Sequence, residues 1–102
     1  MPIYELTLQA ESDIRDIIRY TVERHGEKQA LRYKNALQKK FCAIAERAVH
    51  SRPLSERFPQ IQVSRCEHHY IFYVHPESKP PRIIAVLHER MDLLSRIANR
   101  LN

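Results

Sequence analysis

The densest apolar pattern of the chain lies in two runs, residues 68–75 and 82–92, which a proline-rich segment separates. Both runs are rich in β-branched and aromatic residues, a composition that fits the pleated surface of a sheet. The intervening segment 76–81 contains three prolines, which fix φ and remove backbone donors, so neither strand can continue through it. The pattern therefore predicts two antiparallel strands joined by a short loop.

Alternation along the first run gives this strand two apolar faces. One face carries Tyr70, Phe72 and Val74, and the other carries Ile71 and Tyr73. A strand that is apolar on both sides belongs in the middle of a sheet. We expect the chain itself to cover one face, and the other to stay partly open for a partner.

Two helices are predicted ahead of these strands, because apolar residues there recur every three or four positions. The first helix begins near Ala10 and ends before Gly26, the single glycine of the chain. The second runs from Glu27 to Arg47. Such a tight link makes the two an antiparallel hairpin, and each apolar stripe then has to lie on the sheet.

The remaining segments complete the predicted order of elements. Residues 4–8 alternate as a short strand, residues 50–60 are a loop, residues 61–65 are a further strand, and residues 91–101 form a short amphipathic helix. The fold class is thus α+β in the order β-α-α-β-β-β with a short C-terminal helix. The helical hairpin packs on a mainly antiparallel sheet, and residues 1–102 form one domain.

Composition leaves the predicted fold unchanged and indicates the class of protein and its location in the cell. The chain has 102 residues, of which 43% are hydrophobic and 28% are charged, values typical of one folded domain. No apolar run approaches the roughly 20 residues that span a bilayer, and the N-terminus lacks a signal-peptide pattern. We expect a cytoplasmic protein. Cys42 and Cys66 are too few for a disulfide framework and lack metal-site spacing.

The net charge of +5 favours acidic partners, either nucleic acid or an acidic protein. The cationic residues are spread along the chain, and Lys39-Lys40 is the single adjacent basic pair. An ordinary solvated surface explains such a distribution, so nucleic-acid binding is only weakly indicated.

Six histidines raise the question of a metal site. His69 and His75 point to the same strand face, but about 20 Å separates them at about 3.3 Å per residue. One ion cannot bridge that distance, and no Cys/His spacing supports zinc. We expect no bound metal and no other cofactor.

The order of elements and two sequence blocks resemble the ParE toxins, a branch of the ParE/RelE superfamily of bacterial toxin–antitoxin systems. The specific blocks are 69–73 and 87–92. Weaker matches fall in the first strand and the helices, at Tyr4, Leu6, Ala10, Asp13, Ile14, Ile17, Tyr20, Gly26, Ala30, Tyr33 and Leu37. The resemblance implies a RelE/ParE-like fold and neutralisation by a co-expressed, ParD-like antitoxin. The best-known ParE-type proteins poison DNA gyrase, so that cleaved DNA accumulates.

For the target, the resemblance directs attention to the end of the last strand. His88, Glu89, Arg90 and Asp92 are the candidate gyrase contacts, with Arg90 as the first choice. A local ion pair between Arg90 and Asp92 that caps the tail helix explains the same residues almost as well.

For the antitoxin, the expected site is the open sheet face. The candidate contacts there are Ile71, Tyr73, Arg65 and Arg82, an apolar patch with an arginine rim that suits an amphipathic, acidic segment. We expect no membrane partner, and no direct binding of nucleic acid without the antitoxin.

Two alternative functions stay open at this point. One is a ribosome-dependent mRNA interferase of the RelE type, for which arginines, His88 and Glu89 supply the kinds of side chain that acid–base catalysis on RNA requires. Such nucleases usually also use a tyrosine after the last strand, and no tyrosine follows Tyr73. We therefore assign no catalytic residue. The other alternative is an inactive relative that only binds the antitoxin.

Overall fold

The structure, a computed structural model, describes residues 3–101 and places three helices and five strands within them. The helices are α1 (Leu8–His25), α2 (Glu27–Ala45) and α3 (Leu93–Leu101). The strands are β1 (Glu5–Leu6), β2 (Arg52–Pro53), β3 (Gln62–Cys66), β4 (His69–Val74) and β5 (Arg82–His88). No helix in this range is both long and apolar enough to cross a membrane.

The strands form one sheet in the order β1-β5-β4-β3-β2, so β4 lies at its centre. The β1–β5 pair is parallel and the other three pairs are antiparallel. The predicted α+β fold, with a mainly antiparallel sheet and a central β4, is confirmed. The prediction of a continuous loop over 50–60 is wrong at Arg52–Pro53, which pairs with β3 as an edge strand. Proline is tolerated there because an edge leaves one side of the strand unpaired.

The helical hairpin is confirmed, and its single linking residue is Gly26. This residue has φ +88° and ψ 168°, a backbone region that is essentially restricted to glycine. It differs from the left-handed helical geometry with which glycine commonly ends a helix. The Gly26 N–H donates to the Val22 carbonyl at 3.0 Å. At its other end α1 begins at Leu8, because the Thr7 hydroxyl accepts a hydrogen bond from the Ala10 N–H at 3.1 Å.

Two clusters of buried side chains cover the two faces of the sheet. The cluster under the hairpin consists of Ala10, Tyr33, Leu37, Phe41, Ile44, Cys66, Ile71, Tyr73, Ile83 and Val86. The cluster on the other face consists of Ile61, Val63, Phe72, Ala85, Leu87 and Ile97, which α3 and the segment before β3 contribute to and cover.

The expectation of a partly open sheet face is therefore wrong. Ile71 and Tyr73 are 0% and 4% exposed and lie under the helical hairpin. The opposite face, which carries Phe72, is closed by Ile97 of α3 and by Ile61. In this conformation neither Ile71 nor Tyr73 can contact an antitoxin, because the chain fills both faces of β4.

A bulge on β5 changes which residues face the hairpin. Phe72 pairs with Ala85 and Tyr73 pairs with Ile83, so Ile84 has no partner on β4. After the bulge the outer edge of β5 is also without a strand, since β1 pairs only with Arg82 and Ile83. Strict alternation along the sequence could not reveal this shift.

An ion pair occupies the vacant edge. The Arg100 guanidinium makes two hydrogen bonds of 2.7 Å to the Asp13 carboxylate. The same carboxylate accepts the Val86 N–H at 2.9 Å, and Arg100 donates to the Ile84 carbonyl at 2.9 Å. These contacts satisfy backbone groups that a neighbouring strand would otherwise bind. They also join α1, β5 and α3.

We expect Phe72→Ala to lower the free energy of unfolding by about 3–5 kcal/mol, because it empties a fully buried ring site in the cluster under α3. Urea unfolding should detect the change. Leu31→Ala is the matched control, since this side chain is 60% exposed on α2 and alanine favours a helix. Equal stability of the two variants would contradict the assigned position of Phe72.

We expect Asp13→Asn to cost about 2 kcal/mol, because Arg100 then loses its countercharge in a largely buried position. Asp16→Asn is the control on the same helix. Its carboxylate is 69% exposed and lies 3.7 Å from Arg19, so its loss should cost less than about 0.5 kcal/mol. Thermal unfolding of both variants measures the difference, and a neutral Asp13→Asn would show that the pair does not hold α3.

Candidate functional site

A groove of about 840 Å³ follows the outer edge of β5 after β1 has ended. Its walls come from α1, the start of α2, the turn 67–69 and α3, and Val86 to His88 line its floor. The Asp13–Arg100 pair lies within the same groove. The groove exists because β1 is only two residues long, so α1 and α3, in place of a strand, flank the end of β5.

A tyrosine–histidine pair lies in the groove where α2 meets β4. The Tyr33 hydroxyl donates to the Cys66 carbonyl at 3.0 Å, and His69 Nδ1 lies 2.6 Å from the same hydroxyl oxygen. A carbonyl can only accept, which commits the tyrosine proton to Cys66. His69 must then donate through Nδ1–H, and its Nε2 carries the free lone pair.

The pKa of His69 is lowered to about 4, mainly by burial and additionally by the nearby His88 and His68 rings. The His88 ring stands edge-on to His69 with centroids 5.2 Å apart. Burial also raises the pKa of the Tyr33 hydroxyl. Both groups are therefore neutral at pH 7, and their hydrogen bonds join α2 to the β3–β4 turn.

A charged cluster stands beside the groove, centred on Glu89. Its carboxylate accepts from His68 Nδ1 at 2.8 Å and pairs through its other oxygen with Arg65. The hydrogen bond from His68, followed by the charge of Arg65, lowers the pKa of Glu89. Arg65 Nε–H also donates to the Glu67 carbonyl at 2.7 Å, and the guanidinium lies 5.3 Å from the centre of the Tyr70 ring, so Arg65 is held on three sides.

The four candidate gyrase contacts lie close together in sequence but differ in what they bind. His88 accepts the Arg90 N–H on Nδ1 at 3.1 Å, and Glu89 belongs to the charged cluster. Asp92 caps α3 through the Ser95 N–H at 3.3 Å and the Ser95 hydroxyl at 2.9 Å. Arg90 is exposed and forms no ion pair with any residue between 3 and 101. The alternative Arg90–Asp92 ion pair is thus not formed in the described chain.

The four candidate antitoxin contacts are not brought together. Arg65 lies opposite Tyr70 and Arg82 lies opposite Val74, so the arginines sit at opposite ends of β4. Arg82 pairs with Glu5 at 3.5 Å. Ile71 and Tyr73 lie between them in the buried core.

Sequence reasoning missed the residues that shape the groove. Asp13 and Arg100 are 87 positions apart, and no periodic signal links residues at that distance. The sequence places Tyr33 among the regularly spaced apolar residues of α2, but it gives no indication of the partner of its hydroxyl group. Among residues 3–101 there is no group of three or more His, Cys, Asp or Glu side chains arranged to hold a metal ion.

Comparison with known proteins gives one consistent result. The family model described as "ParE toxin of type II toxin-antitoxin system, parDE" matches residues 4–93. Toxin ParE from Escherichia coli is 43% identical over 101 residues, which cover 99% of this chain and 98% of that protein. A chain of the chromosomal ParDE TA system from P. aeruginosa superposes with a TM-score of 0.67 at 16% identity, over 84% of this chain and 96% of that one. The last match supports the fold alone.

The lowered pKa of His69 predicts a pH dependence of stability. The unfolded chain takes up a proton on His69 as the pH falls through about 6.5, while the folded chain does so only near 4. The stability from neutral His69 is therefore complete above about pH 6.5 and is lost as the pH falls towards 4. Between pH 7 and 5 we expect a loss of about 1–2 kcal/mol.

Urea unfolding at several pH values measures this loss. His69→Asn keeps a donor near the Tyr33 hydroxyl and removes the titrating ring, so its stability should change much less over the same range. His25→Asn, at an exposed position on the end of α1, should retain the wild-type dependence. A wild-type slope that persists in His69→Asn would assign the effect to other groups.

Proposed function

The chain belongs to the ParE toxin family of type II toxin–antitoxin systems, and from this premise we propose that it inhibits DNA gyrase until a ParD-like antitoxin neutralises it. The observation that carries the proposal is the 43% identity with Toxin ParE over 99% of the chain. The matched region includes the blocks 69–73 and 87–92, which carry the resemblance of the sequence to the ParE toxins.

Arg90 is our first choice for the contact with gyrase. It is exposed beside the groove, and it has no carboxylate partner within residues 3–101 to be displaced. His88, Glu89 and Asp92 remain candidates of a second kind. They are engaged in local hydrogen bonds, and their role would be to hold the turn that presents Arg90.

Because Ile71 and Tyr73 are buried, the surface that we propose for the antitoxin is the groove. Its rim offers the exposed apolar side chains of Tyr20 and Met91. An amphipathic, acidic segment could place apolar residues there and its carboxylates near the exposed Arg65. Arg82 lies at the far end of β4 and would be reached only by an extended segment.

We also propose that the toxin acts by binding and not by catalysis. A general base works best when its pKa lies near the working pH, and the pKa of His69 is about 4. The Tyr33 proton is committed to the Cys66 carbonyl, and Arg65 is bound to Glu89. These engagements favour a structural role for the groups that a RelE-type nuclease would need free.

The test is a gyrase supercoiling assay with the purified protein, together with detection of cleaved DNA. We expect inhibition, its relief by the antitoxin, and intact messenger RNA on translating ribosomes. Arg90→Ala should weaken inhibition on the order of tenfold, which corresponds to the loss of one strong contact. Arg57→Ala is the matched control, because Arg57 is exposed on the segment before β3.

Three outcomes would contradict this function. Cuts in ribosome-bound RNA that His69→Asn abolishes would favour the RelE type of activity. Normal supercoiling, together with binding of the antitoxin, would favour the inactive relative. Equal effects of Arg90→Ala and Arg57→Ala would remove Arg90 from the contact.

A further inference from the structure

The solvent side of α2 carries a nearly uniform positive charge. Its buried residues are Ala30, Tyr33, Leu37, Phe41 and Ile44. At 100° per residue, Lys28, Arg32, Asn35 and Lys39 fall on the opposite side of the helix, and all four are exposed. Lys34 is also exposed, but at 100° per residue it lies about 100° from Asn35, on the flank of the helix. We call Lys28, Arg32, Asn35 and Lys39 the α2 basic face.

Some basic residues outside α2 are compensated, and those that form no ion pair within residues 3–101, such as Arg52, Arg57 and Lys79, are scattered over separate segments. Arg65, Arg82 and Arg100 each pair with a carboxylate, and α1 alternates acidic and basic residues along its length. By contrast, Glu27 is the single acidic residue in α2, against five lysines and arginines. The net charge of +5 is therefore concentrated on one helix.

The lysines of this face have no internal partner. In the part of the chain that the structure describes, Lys28 and Lys39 form no ion pair, while Arg32 binds Glu67 through two hydrogen bonds of 3.1 and 3.2 Å. Along the helix axis, Lys28 and Lys39 lie about 16 Å apart at 1.5 Å per residue. Two unpaired ammonium groups thus stand on one side of a rigid helix.

We propose that the α2 basic face binds the phosphate backbone of duplex DNA. A duplex presents about one negative charge per 1.7 Å of its axis, so a helix of this length can meet several phosphates at once. Lysine suits such contacts because it binds phosphate as a point charge without a fixed geometry.

The composition of the α2 basic face favours DNA over an acidic protein as its partner. Protein interfaces are poor in lysine and depend on aromatic and apolar anchors. The α2 basic face has lysine, arginine and asparagine, and the nearest exposed apolar residue is Leu31. Interfaces with DNA are more polar and much more positively charged, which matches these residues.

This inference departs from the expectation that the chain does not bind nucleic acid by itself. The sequence shows cationic residues spread along the whole chain, whereas the structure aligns Lys28, Arg32 and Lys39 on one side of α2. The inference does not rest on the proposed inhibition of gyrase, because its test needs only the isolated chain and DNA.

The test is fluorescence anisotropy of a labelled mixed-sequence duplex between about 50 and 200 mM salt. For wild type, the logarithm of the association constant should fall with the logarithm of salt concentration at a slope of about −2, as two phosphate contacts predict. In the variant Lys28→Gln/Lys39→Gln, the slope should rise to near zero. Binding at the lowest salt should weaken by about tenfold or more.

The control removes the same charge from elsewhere on the surface. Arg52→Gln/Lys79→Gln changes exposed residues on β2 and the β4–β5 turn, and it should keep the wild-type slope. Glutamine has nearly the helix propensity of lysine, so both variants should fold, as circular dichroism can verify. Each single lysine variant should change the slope by about one.

Two results would overturn the proposal. Equal weakening in the α2 and control variants would mean that DNA responds to net charge alone and not to this face. Displacement of the DNA by polyglutamate at the same charge concentration would assign the face to an acidic protein.

Discussion

The Asp13 carboxylate and the Arg100 guanidinium come from the two ends of the chain and meet at the unpaired edge of β5. This contact solves a problem created by the shortness of β1. A strand that ends after two residues leaves the backbone groups of its neighbour without partners, and such groups are costly when they are buried. Asp13 and Arg100 bind the N–H of Val86 and the carbonyl of Ile84. The edge is thereby closed by side chains.

The position of α3 follows from that contact. With Arg100 fixed to Asp13, the helix places Ile97 over the sheet face opposite the hairpin. Both faces of β4 are then filled, which leaves no apolar sheet surface for a partner. The surfaces that remain available for binding are the groove beside β5 and the outer sides of the helices.

The groove combines groups that suggest chemistry with an arrangement that restrains it. Two tyrosines, four histidines and several arginines line it or stand beside it, a set that in isolation resembles an acid–base centre. However, the Tyr33 proton is engaged by a carbonyl and the pKa of His69 is far below 7. Hydrogen bonding and burial give these groups a structural role, which fits a protein that acts through binding surfaces.

The sequence by itself determined the elements and their order, because periodicity, proline and glycine are local signals. The hairpin around Gly26, the central β4 and the α+β class all followed from neighbouring residues, and the family followed from two short blocks. Tertiary structure alone decided which face of β4 lies under the helices, because alternation assigns residues to two faces but does not show which element covers each face. It likewise decided the bulge at Ile84, the partners of Asp13 and Tyr33, and which lysines remain unpaired. Each of these depends on groups distant in sequence, whose meeting is set by packing in three dimensions and leaves no periodic trace along the chain.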